Sequence, residues 1–367
     1  MKPRTKIAQA ISASLLLAFA LGTSGPAFAD SMQSQQHGNG SYLQHNLVSD
    51  GFVAADHTDA NLVNAWGITF GIGSPAWVAN NGTSTSTLYN GDGVAIPLIV
   101  NVTGQDPTGI VWNGSSSFNI APSTPAKFIF VTESGTVDAW AGGSSTTVMQ
   151  TVTGAVFKGV ALSGNGSALQ LYATDFAGGG QVDVFDGSFA LVPQSANAFK
   201  DPKLPAGYNP FGIQAIGGNI YVTFAKTQVG SDDEAHGPGL GFVDVFDPSG
   251  NLLHRIATRG VLNAPWGLTL APAGFGAFSG SLLVGNFGDG TINAFDAVHG
   301  GYIGTLRDAS HKAIKIDGLW GIAFGDGAQN QPVNTLFFAA GPDDEAHGLY
   351  GRIDAQGGNG GGGDNQD

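Results

Sequence analysis

The most distinctive chemistry in the sequence is a hexapeptide, DDEAHG, that occurs twice without change, at residues 232–237 and 343–348. Imidazole titrates near neutral pH and an adjacent carboxylate raises its pKa, so this combination suits general acid–base catalysis, and it also accepts Zn²⁺ or Cu²⁺. We therefore interpret His236 and His347 as candidate catalytic residues. The acids beside them form a second candidate site, which consists of Asp232, Asp233, Glu234, Asp343, Asp344 and Glu345. Duplicated repeats that kept the same loop, or a solvated acidic loop, are the alternatives.

Further oxygen ligands stand at the ends of short apolar segments that recur along the chain. The four residues are Asn80, Glu133, Asp175 and Asn286. Two carboxylates and two carboxamides around one axis would supply the hard oxygen ligands that Ca²⁺ or Mg²⁺ prefers. The alignment depends on loop lengths, and a shift of one residue would replace Asn80 by Asn81. The alternative is that these side chains simply cap turns.

An aromatic residue precedes a recurring glycine in four places, at Trp66, Phe211, Trp266 and Trp320. Periodic aromatic residues usually pack between neighbouring repeats, but around a channel mouth they would stack against a sugar or another flat ligand. Lys158 occupies the same position in another repeat. Desolvation among aromatic residues would lower the pKa of Lys158 and make it a base or an anion ligand, unless it pairs with an acid such as Glu133.

These side chains must be positioned by a repeated unit. A short phrase recurs six times at spacings of 42 to 55 residues, centred on Gly67, Gly109, Gly159, Gly212, Gly267 and Gly321. Each copy is followed by a second apolar run and an alternating strand. Six such units, each long enough for four short strands, predict an all-β fold, a six-bladed β-propeller. Glycine is expected where inner strands approach closely, and residues 42–48 are expected to pair with residues 349–354 and close the ring.

The ends of the chain fall outside this repeat. Residues 1–29 have the basic start, apolar stretch and small-residue cleavage site of a secretory signal peptide. Residues 30–41 are expected to form a flexible N terminus, residues 42–354 the propeller, and residues 355–367 a disordered Gly-rich tail. The protein is therefore expected to be secreted or periplasmic, with no membrane span after removal of the signal.

Composition excludes several classes of protein. With no Cys, 58 Gly and only 11% charged residues, the chain can form neither a disulfide framework nor an iron–sulfur cluster, and long helices are not expected. A hydrophobic content of 42% is sufficient for a buried core. The formal net charge of −14 repels phosphate backbones, so we expect no nucleic-acid partner, and it attracts cations.

Several longer phrases resemble a family of secreted bacterial proteins to which no activity is assigned. They are NAPWGL at 263–268, GNFGDGTINAFD at 285–296, LPAGY at 204–208 and GLGFVDVFD at 239–247. More distantly, the architecture resembles NHL-repeat and gluconolactonase-type six-bladed propellers. That resemblance implies a divalent metal, expected to be Ca²⁺, held by Asn80, Glu133, Asp175 and Asn286.

Two functions are consistent with these observations. The first is a divalent-metal-dependent, lactonase-like hydrolase acting at the channel mouth, where the metal polarises a carbonyl or activates water and His236 or His347 moves protons. The alternative is a non-enzymatic propeller that binds a small molecule, a carbohydrate, a surface polymer or an extracellular protein, with Ca²⁺ as a structural ion. In that case Trp66, Phe211, Trp266 and Trp320 would stack against the ligand.

Overall fold

The computed structural model describes residues 40–164 and 168–357, which form an all-β, six-bladed β-propeller. The predicted signal peptide, residues 1–29, lies outside the described residues, as do most of the predicted N-terminal segment 30–41 and most of the predicted tail 355–367. Within the described part, short 3₁₀ turns occur at Asn81–Thr83 and Gly276–Phe278. No described helix has the length and apolar character needed to cross a bilayer.

The first three blades follow one another along the chain, with strands A to D running from the channel outward. Blade 1 contains Ala65–Phe70, Ala76–Asn80, Thr85–Tyr89 and Val100–Asn101. Blade 2 contains Pro107–Trp112, Phe128–Thr132, Thr136–Trp140 and Thr147–Thr151, with a small hairpin formed by Asn119–Ala121 and Thr124–Pro125. Blade 3 contains Phe157–Ser163, Gln170–Asp175 and Gln181–Phe185.

The other three blades complete the ring. Blade 4 contains Tyr208–Ile216, Asn219–Thr227, Gly241–Phe246 and Leu252–Thr258, and Glu234–Ala235 pairs with its strand B. Blade 5 contains Pro265–Leu270, Leu282–Asn286, Ile292–Phe295 and Tyr302–Thr305. Blade 6 contains Leu319–Phe324, Leu336–Ala340, Leu349–Ala355 and, from the other end of the chain, Tyr42–Ser49. His57–Thr58 pairs with this last strand in parallel.

The closure of the ring is confirmed. Tyr42–Ser49 pairs antiparallel with Leu349–Ala355, so the N-terminal strand becomes strand D of blade 6. This pairing covers an edge that would otherwise expose a row of unpaired backbone groups. It also joins the two ends of the described chain within one blade.

Blade 3 differs from the expected four strands, because only three are formed among its described residues. The amide of Val192 donates to the carbonyl of Val184 at 2.7 Å, which begins a fourth strand. Pro193 follows directly and has no N–H with which to continue the ladder. The outer edge of this blade is therefore covered by an irregular segment.

The channel is defined by the close approach of the six inner strands, each of which contacts the inner strand of both neighbouring blades. The repeated glycines lie at these contacts. A Cβ atom added to Gly212 would lie 1.9 Å from the carbonyl oxygen of Trp266, and one added to Gly67 would lie 2.4 Å from that of Thr108. No side chain fits in such a gap, which is why the repeated phrase requires glycine.

Replacing one of these glycines tests the close approach. We expect Gly212→Ala to lower the free energy of unfolding by about 3 kcal/mol, because the new methyl group overlaps the next inner strand. Gly179→Ala is the matched control, since no atom lies within 4 Å of its added Cβ. We expect the control to change stability by less than about 0.5 kcal/mol. Denaturant unfolding followed by circular dichroism measures both, and equal stability of the two variants would contradict the packing described.

Candidate functional site at the channel entrance

The end of the channel at which the inner strands begin carries the three glutamates of the chain. Glu133, Glu234 and Glu345 are the only glutamates in the sequence, and they come from the loops after strand B of blades 2, 4 and 6. Their charges act on one another and on Lys158 of blade 3. We call these four residues the glutamate cluster. The sequence assigned its acids to two different sites, and the structure brings them together.

Lys158 is the cation of this cluster. Its side chain is only 2% exposed, and its Nζ lies 2.5 Å from Glu133 Oε1 and 5.1 Å from the ring centroid of Trp66. Burial lowers the pKa of Lys158, but the carboxylates of Glu133 and Glu234 raise it, and the net direction is upward. The expectation of a lowered pKa was therefore wrong. Pairing with Glu133, the alternative considered from the sequence, is what the structure has.

Two asparagines connect the ion pair to Glu345. Asn81 Nδ2 donates to Glu133 Oε2 at 2.9 Å, and Asn64 Nδ2 donates to Asn81 Oδ1 at 3.2 Å and to Glu345 Oε2 at 2.5 Å. The indole N–H of Trp320 donates to Asn64 Oδ1 at 3.1 Å, which fixes the orientation of that amide. A continuous hydrogen-bonded path therefore runs from Lys158 to Glu345. Asn64 was not predicted as a site residue because nothing local in the sequence distinguishes it from other loop asparagines.

Glu345 is the member of the glutamate cluster whose pKa suits it to proton transfer near neutral pH. Burial raises its pKa to about 7, and the charge of Glu234 adds to the rise. The hydrogen bond from Asn64 and the charge of Lys158 act in the opposite direction. At neutral pH this carboxyl is close to half ionised, so it can both accept and donate a proton.

The two copies of the hexapeptide give their histidines different surroundings. His236 Nε2 lies 3.4 Å from Glu234 Oε1. The hydrogen bond to Glu234 raises the pKa of His236, burial opposes this, and the charges of Glu345 and Asp344 add to the rise. His236 therefore belongs to the entrance and favours its protonated form.

The side chain of His347 meets the segment that follows the ring-closing strand, while its backbone carbonyl accepts the N–H of Asn64 at 2.9 Å. Its Nδ1 lies 2.6 Å from Asp50 Oδ2, and its ring stacks on Phe52 with centroids 3.9 Å apart. The four aspartates of the hexapeptides are exposed, whereas Glu234 and Glu345 are wholly or partly buried; the aspartates are Asp232, Asp233, Asp343 and Asp344. Each hexapeptide thus sends its glutamate inward and its aspartates to solvent.

Most oxygens of the four predicted metal ligands are engaged in other contacts, although Oδ1 of Asn80 is buried without a hydrogen-bond partner. Glu133 accepts from Lys158 and Asn81, and Asn286 Oδ1 accepts the amide N–H of Asn263. One oxygen of Asp175 accepts two backbone N–H groups, while the Nδ2 of Asn80 donates to two threonines of its own blade. Asn81, the alternative to Asn80, is the residue that meets Glu133.

These four side chains therefore offer no common set of free oxygens to one ion. Among the described residues, no group of three or more His, Asp or Glu side chains has an arrangement that would hold a metal. The prediction of a bound Ca²⁺ stays a prediction.

The predicted aromatic residues fill the channel below the glutamate cluster. Trp66 and Trp320 stack with ring centroids 3.7 Å apart, and Phe287 stacks on the other side of Trp320 at 3.9 Å. We call this group the aromatic plug; its members are Trp66, Phe176, Phe211, Trp266, Phe287 and Trp320. Blades 1, 3, 4, 5 and 6 contribute to it, so these residues pack across the axis rather than only between neighbours. Trp66, Phe211 and Trp320 are at most 1% exposed, and Trp266 is half-buried.

The scarcity of glutamate was a signal in the sequence that could have found this site. All other acidic residues are aspartates, and aspartates cap many of the turns, for example at Asp186, Asp247 and Asp296. The longer glutamate side chain reaches toward the axis from a loop. A residue type that occurs only three times, at the same point in alternate repeats, indicates a functional site more strongly than the total number of acidic residues does.

Comparison with curated proteins finds relatives encoded by a virus. The chain is 35% identical over 326 residues to "Uncharacterized protein R648" of Acanthamoeba polyphaga mimivirus, and the alignment covers 84% of this chain and 78% of that protein. It is 32% identical over 329 residues to "Uncharacterized protein L690" of the same virus, covering 84% of each. The chain belongs to the family of these proteins. No protein-family model matches it, and these relatives give no support to the expected bacterial family.

Solved structures show the same fold at low identity. The PQQ-bound aldose sugar dehydrogenase of Streptomyces coelicolor aligns with 86% of this chain and 98% of its own, with a TM-score of 0.55 and 12% identity. A glucose dehydrogenase aligns with 84% of this chain and 99% of its own, with a TM-score of 0.51 and 12% identity. Both neighbours are enzymes, but at this identity the likeness shows the propeller fold alone.

Glu345 is expected to make the stability of the protein depend on pH. Because its pKa is raised to about 7, the folded state holds this proton more tightly than the unfolded chain does, and the free energy of unfolding falls as pH rises toward 7. Glu345→Gln should flatten this fall, whereas Asp344→Asn, at the exposed neighbour, should not. Thermal unfolding at about pH 5 and about pH 8 measures the slope. The same slope in Glu345→Gln and in the unmodified protein would refute this assignment.

Lys158 is expected to be necessary for the stability of the cluster. Lys158→Met should lower the free energy of unfolding by about 3 kcal/mol at neutral pH, because buried carboxylates lose their counter-ion. The loss should shrink in acid, where the glutamates are protonated. The double variant Glu133→Gln with Lys158→Met should recover part of the stability. Denaturant titrations measure the free energy of unfolding of the single and the double variant. Equal losses of stability in both at neutral pH would argue against loss of the ion pair as the cause.

Proposed function

We propose that the protein is an exported hydrolase of small esters, lactones included, and that the glutamate cluster is its catalytic site. The observation that carries the proposal is Glu345, a carboxyl with a pKa of about 7 at the channel entrance. A group that is half ionised at neutral pH is suited to accept a proton and return it within one turnover. Export is inferred from residues 1–29, whose sequence has the parts of a secretory signal.

The reaction can be written with the side chains of the entrance. The Glu345 carboxylate accepts a proton from a water molecule as the water oxygen attacks the ester carbonyl carbon. The tetrahedral intermediate then breaks its bond to the alcohol oxygen, which receives the proton from Glu345, and a carboxylic acid and an alcohol result. Asn64 orients Glu345 through the hydrogen bond to Oε2.

Positive charge near the developing oxyanion comes from two neighbours. Lys158 and His236 both have raised pKa values, which favours their protonated forms. Lys158 is buried and acts only through its charge, whereas the side chain of His236 is 47% exposed and can meet the substrate. His236 is therefore the second proton-transfer candidate. His347 is fixed by Asp50, and its backbone carbonyl accepts the N–H of Asn64, so in this proposal it positions Asn64.

Charge sets the class of substrate. The cluster has three carboxyls for one lysine, and the chain as a whole carries a formal charge of −14. An anionic ester would be repelled from such an entrance, whereas neutral or cationic esters would not. We therefore propose uncharged or cationic substrates.

The exposed aspartates of the two hexapeptides favour a second candidate function. Asp232, Asp233, Asp343 and Asp344 form an acidic rim beside the same entrance, at which a carbohydrate, a cationic surface polymer or an extracellular protein would bind without turnover. A structural Ca²⁺ would accompany this function. Because the predicted ligand set does not fit one ion in this structure, we derive no step through a metal.

Hydrolysis of γ-butyrolactone and p-nitrophenyl acetate tests the first candidate. We expect kcat/KM to increase with pH around pH 7, as Glu345 ionises. In Glu345→Gln we expect kcat/KM to fall by about 100-fold because the base is lost. Asp344→Asn should retain the activity of the unmodified protein. Turnover is measured against a blank, and activity that survives Glu345→Gln would show that the reaction occurs elsewhere.

Two further measurements on the same samples separate the candidates. If neither ester is turned over while polylysine binds and Asp344→Asn weakens that binding, the binding function replaces the hydrolase. Metal content by mass spectrometry tests the Ca²⁺ prediction independently. An equimolar Ca²⁺ that disappears in Glu133→Gln would support a metal at the entrance, and metal-free protein with full function would remove it from both candidates.

A further inference from the structure

A cavity lies at the end of the channel opposite the glutamate cluster, beyond the aromatic plug. Its volume is about 400 Å³, and residues from all six blades line it. We call it the far cavity; its wall is the ring of aliphatic side chains at Ile68, Ile110, Val160, Ile213, Leu268 and Ile322. Each of these residues directly follows one of the repeated glycines. The close approach of the inner strands at the glycines therefore also places these aliphatic side chains around the channel.

The ring borders empty space rather than packed protein. Its six members keep between 5% and 9% exposure, whereas Val78 and Leu283 on the next strands outward are fully buried. A small and even exposure around the ring means that each side chain presents one face to the cavity. Polar atoms supply the larger part of the remaining lining, to which Thr69, Gln214, Thr269 and Asp326 belong, so a ligand meets hydrogen-bonding groups as well as the apolar ring.

The two ends of the far cavity have different chemistry. Trp266, the half-buried member of the aromatic plug, supplies an aromatic floor. Asp326 stands at the mouth, where its carboxylate accepts the N–H of Gly73 at 2.7 Å and that of Ala328 at 2.9 Å. These bonds hold a negative charge in place at the rim. Gln214 and Leu270 also border the cavity, and Leu270 is 42% exposed.

We infer that the far cavity binds a compact molecule that has an apolar face for the ring and a hydrogen-bond donor, neutral or cationic, for Asp326. The aliphatic wall and the indole floor accept the apolar body, and Asp326 accepts the donor at the mouth. A volume of about 400 Å³ suits a ligand at the small end of the usual range. The inference is independent of the proposed function, because the plug separates this cavity from the glutamate cluster.

Three probes that differ only in their polar group test the inference: benzyl alcohol, benzylamine and benzoate. Saturation-transfer NMR titrations should show binding of the alcohol and the amine, and about tenfold weaker binding of benzoate because of Asp326. Asp326→Asn should bring benzoate to within about twofold of benzyl alcohol. No saturation transfer to the alcohol and the amine would overturn the inference, as would benzoate bound as tightly as the alcohol by the unmodified protein.

A blocking variant locates the binding. Gln214→Trp places a large side chain at the mouth and should abolish binding of benzyl alcohol, whereas Gln194→Trp, on an exposed loop of blade 3, should leave it unchanged. Circular dichroism establishes that each variant is folded. Should Gln214→Trp fail to fold, Leu270→Trp at the exposed rim takes its place. Binding that persists in a folded blocking variant would place the ligand elsewhere and overturn the inference.

Discussion

The structure depends on one steric constraint, the contact between inner strands at the repeated glycines. A methyl group at Gly212 or Gly67 would overlap a backbone carbonyl of the next blade, so only glycine lets six strands converge on a narrow axis. The residues on either side of each glycine are consequently brought to the channel. Those before it supply most of the aromatic plug, and those after it supply the wall of the far cavity.

The aromatic plug divides the channel into two ends of unlike chemistry. At the entrance, three carboxyls share one buried lysine, so the charges are not fully compensated and burial raises the pKa of Glu345. At the other end, the side chains of the ring carry no charge, and Asp326 supplies a single acid at the rim. One scaffold therefore presents a site suited to proton transfer and another suited to a small ligand with an apolar face and a hydrogen-bond donor. Packed aromatic rings between them keep the two environments apart.

Neither the family nor the fold specifies the chemistry of these sites. The mimivirus relatives are uncharacterised, and the dehydrogenases share the propeller at 12% identity. Propellers host many functions, and their chemistry is set by the side chains on the loops. The proposed function therefore depends on the glutamate cluster and on the path from Lys158 through Asn81 and Asn64 to Glu345.

The sequence alone determined the six-bladed fold and its closure, because glycine repeats and period-two alternation are local patterns that each strand must satisfy. Only the tertiary structure decided which side chains meet. Of the identical hexapeptides, one has His236 paired with its own Glu234, whereas the other has His347 paired with Asp50, because the second copy lies beside the segment that follows the ring-closing strand. The pKa direction of Lys158 was likewise not predictable, because carboxylates from two other blades outweigh the desolvation that its aromatic neighbours cause. Contacts between distant loops depend on loop length and blade geometry, which no local pattern specifies.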